Sequence, residues 1–207
     1  DHFHQGGRNR QRRVVDEQSQ FGIVVLTQRL PDRRQIGELG NVTAAPRMSA
    51  MHDLGINVDC APVLDIPVAG ADPIIGDRAY GDAPEPIAVL GRAVCDGLLD
   101  VGILPVIKHI PGHGRARADS HKSLPVVETP HAELSRSDFM PFHGLAGAAP
   151  CAMTAHVVYA AIDPDAPATL SPKVIADVIR GEIGFDGLLF SDDIGMGALS
   201  GPLAERT

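Results

Sequence analysis

At 207 residues, with 44% hydrophobic and 21% charged side chains, the chain is long enough to bury a sizeable core and too apolar for a disordered tail. A formal charge of −8 excludes a general nucleic-acid binder, which needs a basic face, and 4% aromatics with no Trp leave few platforms for stacking bases. Three widely spaced cysteines, Cys60, Cys95 and Cys151, fit neither a zinc knuckle nor a disulfide framework and predict a reducing compartment. No apolar run approaches the roughly 18 residues of a membrane span, so no membrane partner is expected, and no secretory leader is visible.

The first 50 residues are the least legible. Phe21-Gly-Ile-Val-Val-Leu26 reads as a strand, and the four arginines between residues 8 and 13, with no acid among them, read as a solvated stretch. From about residue 54 the pattern alternates. Ile56 to Leu64 is strand-like and ends at Asp65. Residues 84 to 100 predict a helix with Ile87, Leu90, Val94 and Leu98 on one face, closed by Gly102. Ile103-Leu-Pro-Val-Ile107 is an apolar strand stopped by a Pro/Gly cluster, and residues 131 to 147 predict another helix. Pro150 to Ala155 is a short strand ending at His156. A helix follows with Ser171 as N-cap, Pro172 at its first position and Gly184 as its stop, before the strand Gly187 to Phe190.

Repeated strand–helix units predict a parallel sheet. Each strand ends on a polar residue: Asp65, Lys108 with His109, His156, Asp192. Ionisable groups gathered at one end of several parallel strands are the layout of a TIM (β/α)8-type barrel. A doubly wound open sheet is the competing α/β fold, but neither G-x-G-x-x-G nor a P-loop is present. Five plausible strands, against eight in a closed barrel, predict one domain over residues 1–207 that is a barrel incomplete at both ends, with residues 1–50 atypical and poorly ordered.

The chemistry concentrates in Lys108-His-Ile-Pro-Gly-His-Gly-Arg-Ala-Arg-Ala-Asp-Ser-His121. Asp119 and His121 stand two apart in a loop, where a carboxylate can orient an imidazole as a general acid/base near neutral pH. Lys108 and His109 can donate hydrogen bonds to substrate hydroxyls. Arg78 can clamp a carbonyl or carboxylate, or simply pair with Asp77 or Asp82. Asp192 and Asp193 precede the Gly-rich Ile194-Gly-Met-Gly197; each can be a nucleophile, a metal ligand or a helix cap, and both cannot cap one helix. A zinc site from His109, His113 and His121 with Asp192 is the alternative, although the turn glycines around His113 suit it better to holding the loop.

Taken together, Cys60-Ala-Pro-Val-Leu-Asp65, Ile75-Gly-Asp-Arg-Ala-Tyr80, Lys108-His-Ile-Pro-Gly-His-Gly114, Ala118-Asp-Ser-His121, Thr154-Ala-His-Val-Val-Tyr159 and Ile183 to Ile194 resemble bacterial β-N-acetylhexosaminidases of glycoside hydrolase family three, over about residues 54–199. The resemblance implies a cytoplasmic, retaining exo-β-N-acetylglucosaminidase of peptidoglycan recycling that needs no cofactor and acts on N-acetylglucosamine-containing muropeptide fragments. It makes Asp192 the nucleophile and His121 the acid/base with Asp119 as its partner, on a mobile loop hinged at Pro111, Gly112 and Gly114. It has Arg78, Lys108 and His109 hold the sugar, while Asp65 and His156 line or support the pocket. One segment departs from the family pattern. Phe3-His-Gln-Gly-Gly-Arg8 has Phe3 where the family motif D-x-E-G-G-R has its sugar-gripping aspartate, and residues 9 to 50 retain little of the resemblance. The alternative expectation is accordingly a catalytically silent barrel that at most binds a sugar or a partner.

Overall fold

The computed structural model describes residues 45–201, and the predicted strand at Phe21–Leu26 and the Phe3–Arg8 segment lie outside them. Helix α1 (Ala45–Asp53) leads into β1 (Val58–Asp59). The strand predicted over Ile56–Leu64 is thus confined to two residues plus an isolated bridge from Val63 to Lys108. Pro62 explains part of this, because it has no N–H for the ladder; its carbonyl still accepts from Lys108 N at 3.1 Å.

Helix α2 (Pro84–Asp100) opens on a proline, which is preorganised for a first turn. It closes as expected at Gly102, whose φ of +81° allows Gly102 N to reach Leu99 O and Ile103 N to reach Leu98 O. Its buried stripe is Ile87, Gly91, Cys95 and Leu98, rotated from the predicted one, with Leu90 and Val94 only half-buried. Gly91 sets the rotation. A Cβ there would lie 2.5 Å from Leu64 Cδ2 and 3.3 Å from Leu145 Cδ2, so the bare backbone lets α2 settle directly on the sheet.

Strand β2 (Leu104–Ile110) runs three residues beyond the predicted end and takes Lys108 and His109 into the sheet. After β3 (Val126–Val127), the helix predicted over 131–147 is two short ones, α3 (His131–Arg136) and α4 (Met140–Leu145). Pro141 is the cause: its ring would clash with the carbonyl four residues back, at Ser137, and Ser137 is where the helix breaks. Strands β4 (Cys151–Thr154) and β5 (Val158–Tyr159) follow, then α5 (Val174–Glu182), wound with π-type bonds such as Ile183 N to Val178 O, and finally β6 (Leu188–Phe190). The Ser171 cap is as predicted, with Oγ accepting from Val174 N at 3.0 Å, and Gly184 stops the helix region at φ +74°.

The main sheet is parallel throughout, in the order β1-β2-β4-β6, while β3 and β5 form a separate parallel pair. One face of the main sheet is packed: Ile107, Ile110 and Ala152 join Ile87, Cys95, Phe142 and Leu145 in the largest buried cluster. The other face follows from the register as two rows, Val106–Cys151–Leu188 and Lys108–Met153–Phe190. Strand ends carrying ionisable groups therefore come to one end of a parallel array, as expected of a barrel. Among the described residues no helix is long and apolar enough to cross a membrane.

Candidate active site

The β2–β4 ladder skips one residue: Lys108 faces Met153 and Ile110 faces Thr154, so His109 is the extra residue of a bulge. A bulge re-aims its side chain and frees it from strict alternation. His109 uses that freedom to meet Asp65, with Nδ1 at 2.6 Å from Oδ2 and its backbone N at 3.3 Å from Oδ1. The same Oδ1 accepts from His113 N at 2.6 Å. Asp65 is fully buried, and burial alone would raise its pKa. The His109 ring, its hydrogen bond and the His113 N–H outweigh that and hold the carboxyl below its ordinary range. The other face of the His109 ring is turned to Asp192, with Nε2 at 3.9 Å from Oδ2. The Lys108–His109, Ile110–Pro111 and Ala61–Pro62 peptide bonds are cis.

Asp192 and Asp193 divide the work that the sequence left open. Asp193 takes the capping role, with Oδ1 accepting from Gly195 N at 2.8 Å. Asp192 has Oδ1 held by Asp193 N at 2.9 Å and presents Oδ2 toward His109, its side chain 24% exposed. Lys108 is buried beside this pair. Burial lowers its pKa, the nearby Arg78 adds to that, and Cys60, Asp192 and Asp59 oppose it. Asp59 is shifted the other way, raised by burial and pulled back by Lys108. Arg78 is half-buried, with Nη2 donating to Ile74 O at 2.7 Å.

Asp119 and His121 pair as expected. Asp119 Oδ1 accepts from His121 N at 2.9 Å and lies 2.8 Å from Nδ1, while Lys122 Nζ reaches Oδ2 at 3.3 Å. The His121 N–H is the chief reason that the Asp119 carboxyl sits below its ordinary value. The imidazole is 61% exposed, and Nε2 has no hydrogen-bond partner among the described residues. Its loop is fastened at two points. His113 Nε2 lies 3.1 Å from Ser120 Oγ, and the carbonyls of Ser120 and His121 accept from Ala198 N and Gly197 N, each at 3.0 Å. Gly197 follows Asp192 by five residues, so the segments bearing Asp192 and His121 are directly bonded. A Cβ on Gly197 would lie 2.8 Å from His121 O, which makes the glycine a requirement of that contact.

Asp65 is sealed from solvent and His156 is 1% exposed with both ring nitrogens engaged, so of lining or supporting the pocket their geometry fits support. Each imidazole of the zinc alternative has one ring nitrogen in a hydrogen bond, His109 Nδ1 with Asp65, His113 Nε2 with Ser120 and His121 Nδ1 with Asp119, and the other nitrogen outside those bonds. Among the described residues no group of three or more His, Cys, Asp or Glu is arranged to hold a metal ion. Ser120, Thr169 and Gly197 were not singled out from the sequence. Ser120 lies inside the A-D-S-H run and was within reach; Thr169 carries no local signal, standing thirteen residues from the histidine it holds.

A parallel β/α array of barrel type, with a carboxylate set against imidazoles at its C-terminal strand ends, defines the class. The Glycosyl hydrolase family 3 N terminal domain model matches residues 11–206, and the chain belongs to that family. The match reaches well ahead of residue 54, where the motif resemblance begins, and takes in most of the segment that looked atypical. A β-hexosaminidase of Alkalilimnicola ehrlichii is 46% identical over 155 residues, 73% of this chain and 44% of the relative. Among solved structures, a family 3 β-N-acetylglucosaminidase from Paenibacillus sp. str. FPU-7 superposes with TM-score 0.71 at 41% identity, covering 74% of this chain and 30% of that one. NagZ from Neisseria gonorrhoeae, in complex with N-trifluoroacetyl-D-glucosamine, gives TM-score 0.67 at 36% identity over 72% of this chain and 44% of that one. The chain spans less than half the length of each of these relatives.

Proposed function

We propose that this domain carries the catalytic site of a retaining exo-β-N-acetylglucosaminidase acting on cell-wall muropeptide fragments in the cytoplasm. The observation that carries the reading is Asp192. One oxygen accepts from the Asp193 backbone N–H, the other is presented toward His109, and an exposed Asp119–His121 pair sits on the segment bonded to the loop after it.

In the first step Asp192 Oδ2 attacks the anomeric carbon. The glycosidic C–O bond breaks, its electron pair leaves with the oxygen, and that oxygen takes the proton from His121 Nε2. In the second, the now neutral Nε2 removes a proton from water. The water oxygen bonds to the anomeric carbon as the ester to Asp192 opens, which restores both groups. Asp119 accepts from Nδ1 and so fixes which nitrogen carries the transferable proton. An imidazole here departs from the two-carboxylate arrangement of most glycosidases. Lys108, His109 and Arg78 hold the sugar, and Asp65 orients His109.

A chromogenic β-N-acetylglucosaminide assay tests this directly. Asp192→Ala should lose turnover by on the order of 10⁴-fold or more. A fluorinated slow substrate should label Asp192, and label on any other residue would refute the assignment. A second reading, sugar binding without turnover, is favoured by Phe3 at the position of the family motif's aspartate. Absence of turnover by the folded chain, with N-acetylglucosamine still bound, would establish it instead.

A further inference from the structure

Behind the Asp192–Asp193 turn, four groups share one chain of hydrogen bonds. Thr154 Oγ1 lies 2.8 Å from Thr169 Oγ1, Thr169 Oγ1 lies 2.7 Å from His156 Nδ1, and His156 Nε2 lies 3.0 Å from the Asp193 carbonyl oxygen. Thr169 Oγ1 also stands 3.2 Å from Ala155 O. Thr154 and His156 are buried, so water does not substitute freely for these partners.

Proton accounting gives the chain a direction. A carbonyl oxygen only accepts, so Nε2 of His156 carries a hydrogen to serve Asp193. In the neutral ring Nδ1 is then a bare acceptor, and the Thr169 hydroxyl stands against it. Thr169 has one proton and two acceptors to choose from, and Nδ1 at 2.7 Å is the better placed than Ala155 O at 3.2 Å. Thr154 completes the set by donating to Thr169 Oγ1. The order is Thr154 O–H to Thr169, Thr169 O–H to His156 Nδ1, His156 Nε2–H to Asp193 O.

The terminus of this chain matters because of what Asp193 holds. Its carbonyl also accepts from Met196 N at 3.1 Å, its carboxylate caps Gly195, and its own N–H fixes Asp192 Oδ1. The backbone at Asp193 thus sets where the Asp192 carboxylate points.

We propose that Thr169 is a positioning residue: by fixing the His156 tautomer it anchors the Asp193 carbonyl and thereby the aim of Asp192. This rests on the reading of Asp192 as the nucleophile. Val is the informative replacement, because it keeps the branched shape and removes the hydroxyl; Ser keeps the hydroxyl and removes a methyl group.

The test combines a spectroscopic and a kinetic readout on the full chain. In histidine-labelled protein, with the His156 resonances assigned by their loss in His156→Gln, nitrogen shifts should report Nε2–H and a hydrogen-bonded bare Nδ1 in the wild type and in Thr169→Ser. Thr169→Val should lose that single-tautomer signature. With a chromogenic N-acetyl-β-glucosaminide, Thr169→Val should lower kcat on the order of tenfold to a hundredfold with KM within about twofold, and Thr169→Ser should restore most of it. A proton on Nδ1 in the wild type overturns the relay, and so does an unchanged signature in Thr169→Val. A lost signature with unchanged kcat overturns the link to Asp192. Should Thr169→Val fail to fold, the wild-type and Ser nitrogen shifts still decide the tautomer. A wild type without turnover defeats the functional reading alone, since the nitrogen signature does not depend on it.

Discussion

The site contains the same chemical pair twice, in two different settings. Asp65 and His109 meet at 2.6 Å with side chains 0% and 9% exposed, while Asp119 and His121 meet at 2.8 Å with side chains 16% and 61% exposed. In both, a carboxylate faces Nδ1 and leaves Nε2 for something else. The buried carboxylate also accepts two backbone N–H groups from β2 and the turn after it, so it is part of what shapes the strand end. The exposed one holds only its own loop. An orienting pair gains from burial, where its geometry is locked and its hydrogen bonds are not in competition with water. The proton-transfer role proposed for Asp119 and His121 requires the opposite environment, because in that mechanism Nε2 meets a leaving group in one step and water in the next.

The largest expected effect falls on the buried pair. Asp65→Ala leaves His109 and the His113 N–H without their acceptor, and should cost about 3–5 kcal/mol in chemical denaturation, as breaking a buried pair does. A loss similar to that of an ordinary surface substitution would remove the distinction drawn between the pairs. His121→Ala should do the opposite, lowering kcat by about 10²–10⁴-fold while leaving the melting temperature near that of the wild type. Equal stability losses for the two variants would mean that exposure does not separate their roles.

Gly197→Ala tests the bond between the segments that carry Asp192 and His121. The added methyl group would stand 2.7 Å from Lys122 O and 2.8 Å from His121 O, so the loop must move away. A fall in kcat of about tenfold is expected, with little change in unfolding, and unaltered kinetics would show that the docking is dispensable. The smallest effect is in the pH dependence. The Asp65 pKa is lowered in the folded state, so the folded form binds fewer protons than the unfolded one near the ordinary carboxylate value. Its contribution to stability is present above that value and is lost as pH falls through the folded pKa. Asp65→Asn should therefore show a flatter decline of stability with acidification, measured by denaturant unfolding across the acid range.

Legibility varied with how local the cause was. The α2 stop at Gly102, the Ser171 cap and the pairing of Asp119 with His121 are each decided within a few residues, and each was readable. Pro141 also carried a local signal, yet the apolar pattern across 131–147 masked the break it forces at Ser137. The buried stripe of α2 was misread for another reason. Periodicity counts side chains, and the closest contact of that helix is made at Gly91, which has none. The motif runs brought Asp65, Lys108, His109 and Asp192 to one end of the parallel sheet, but they carried no sign that Asp65 would be sealed while His121 stayed open.

The sequence by itself determined the order of the main-sheet strands, the polar residues gathered near their ends, and the family, because these depend on spacing and residue type along the chain. Tertiary structure alone decided that the second of two adjacent aspartates, Asp193, caps the turn after β6. It also decided that a bulge aims His109 at Asp65, and that Thr169 reaches His156 from a separate segment. The reason is physical. Capping and periodicity act over a few residues, whereas burial, charge pairing and the donor–acceptor match of a buried imidazole arise only where distant segments close on one another.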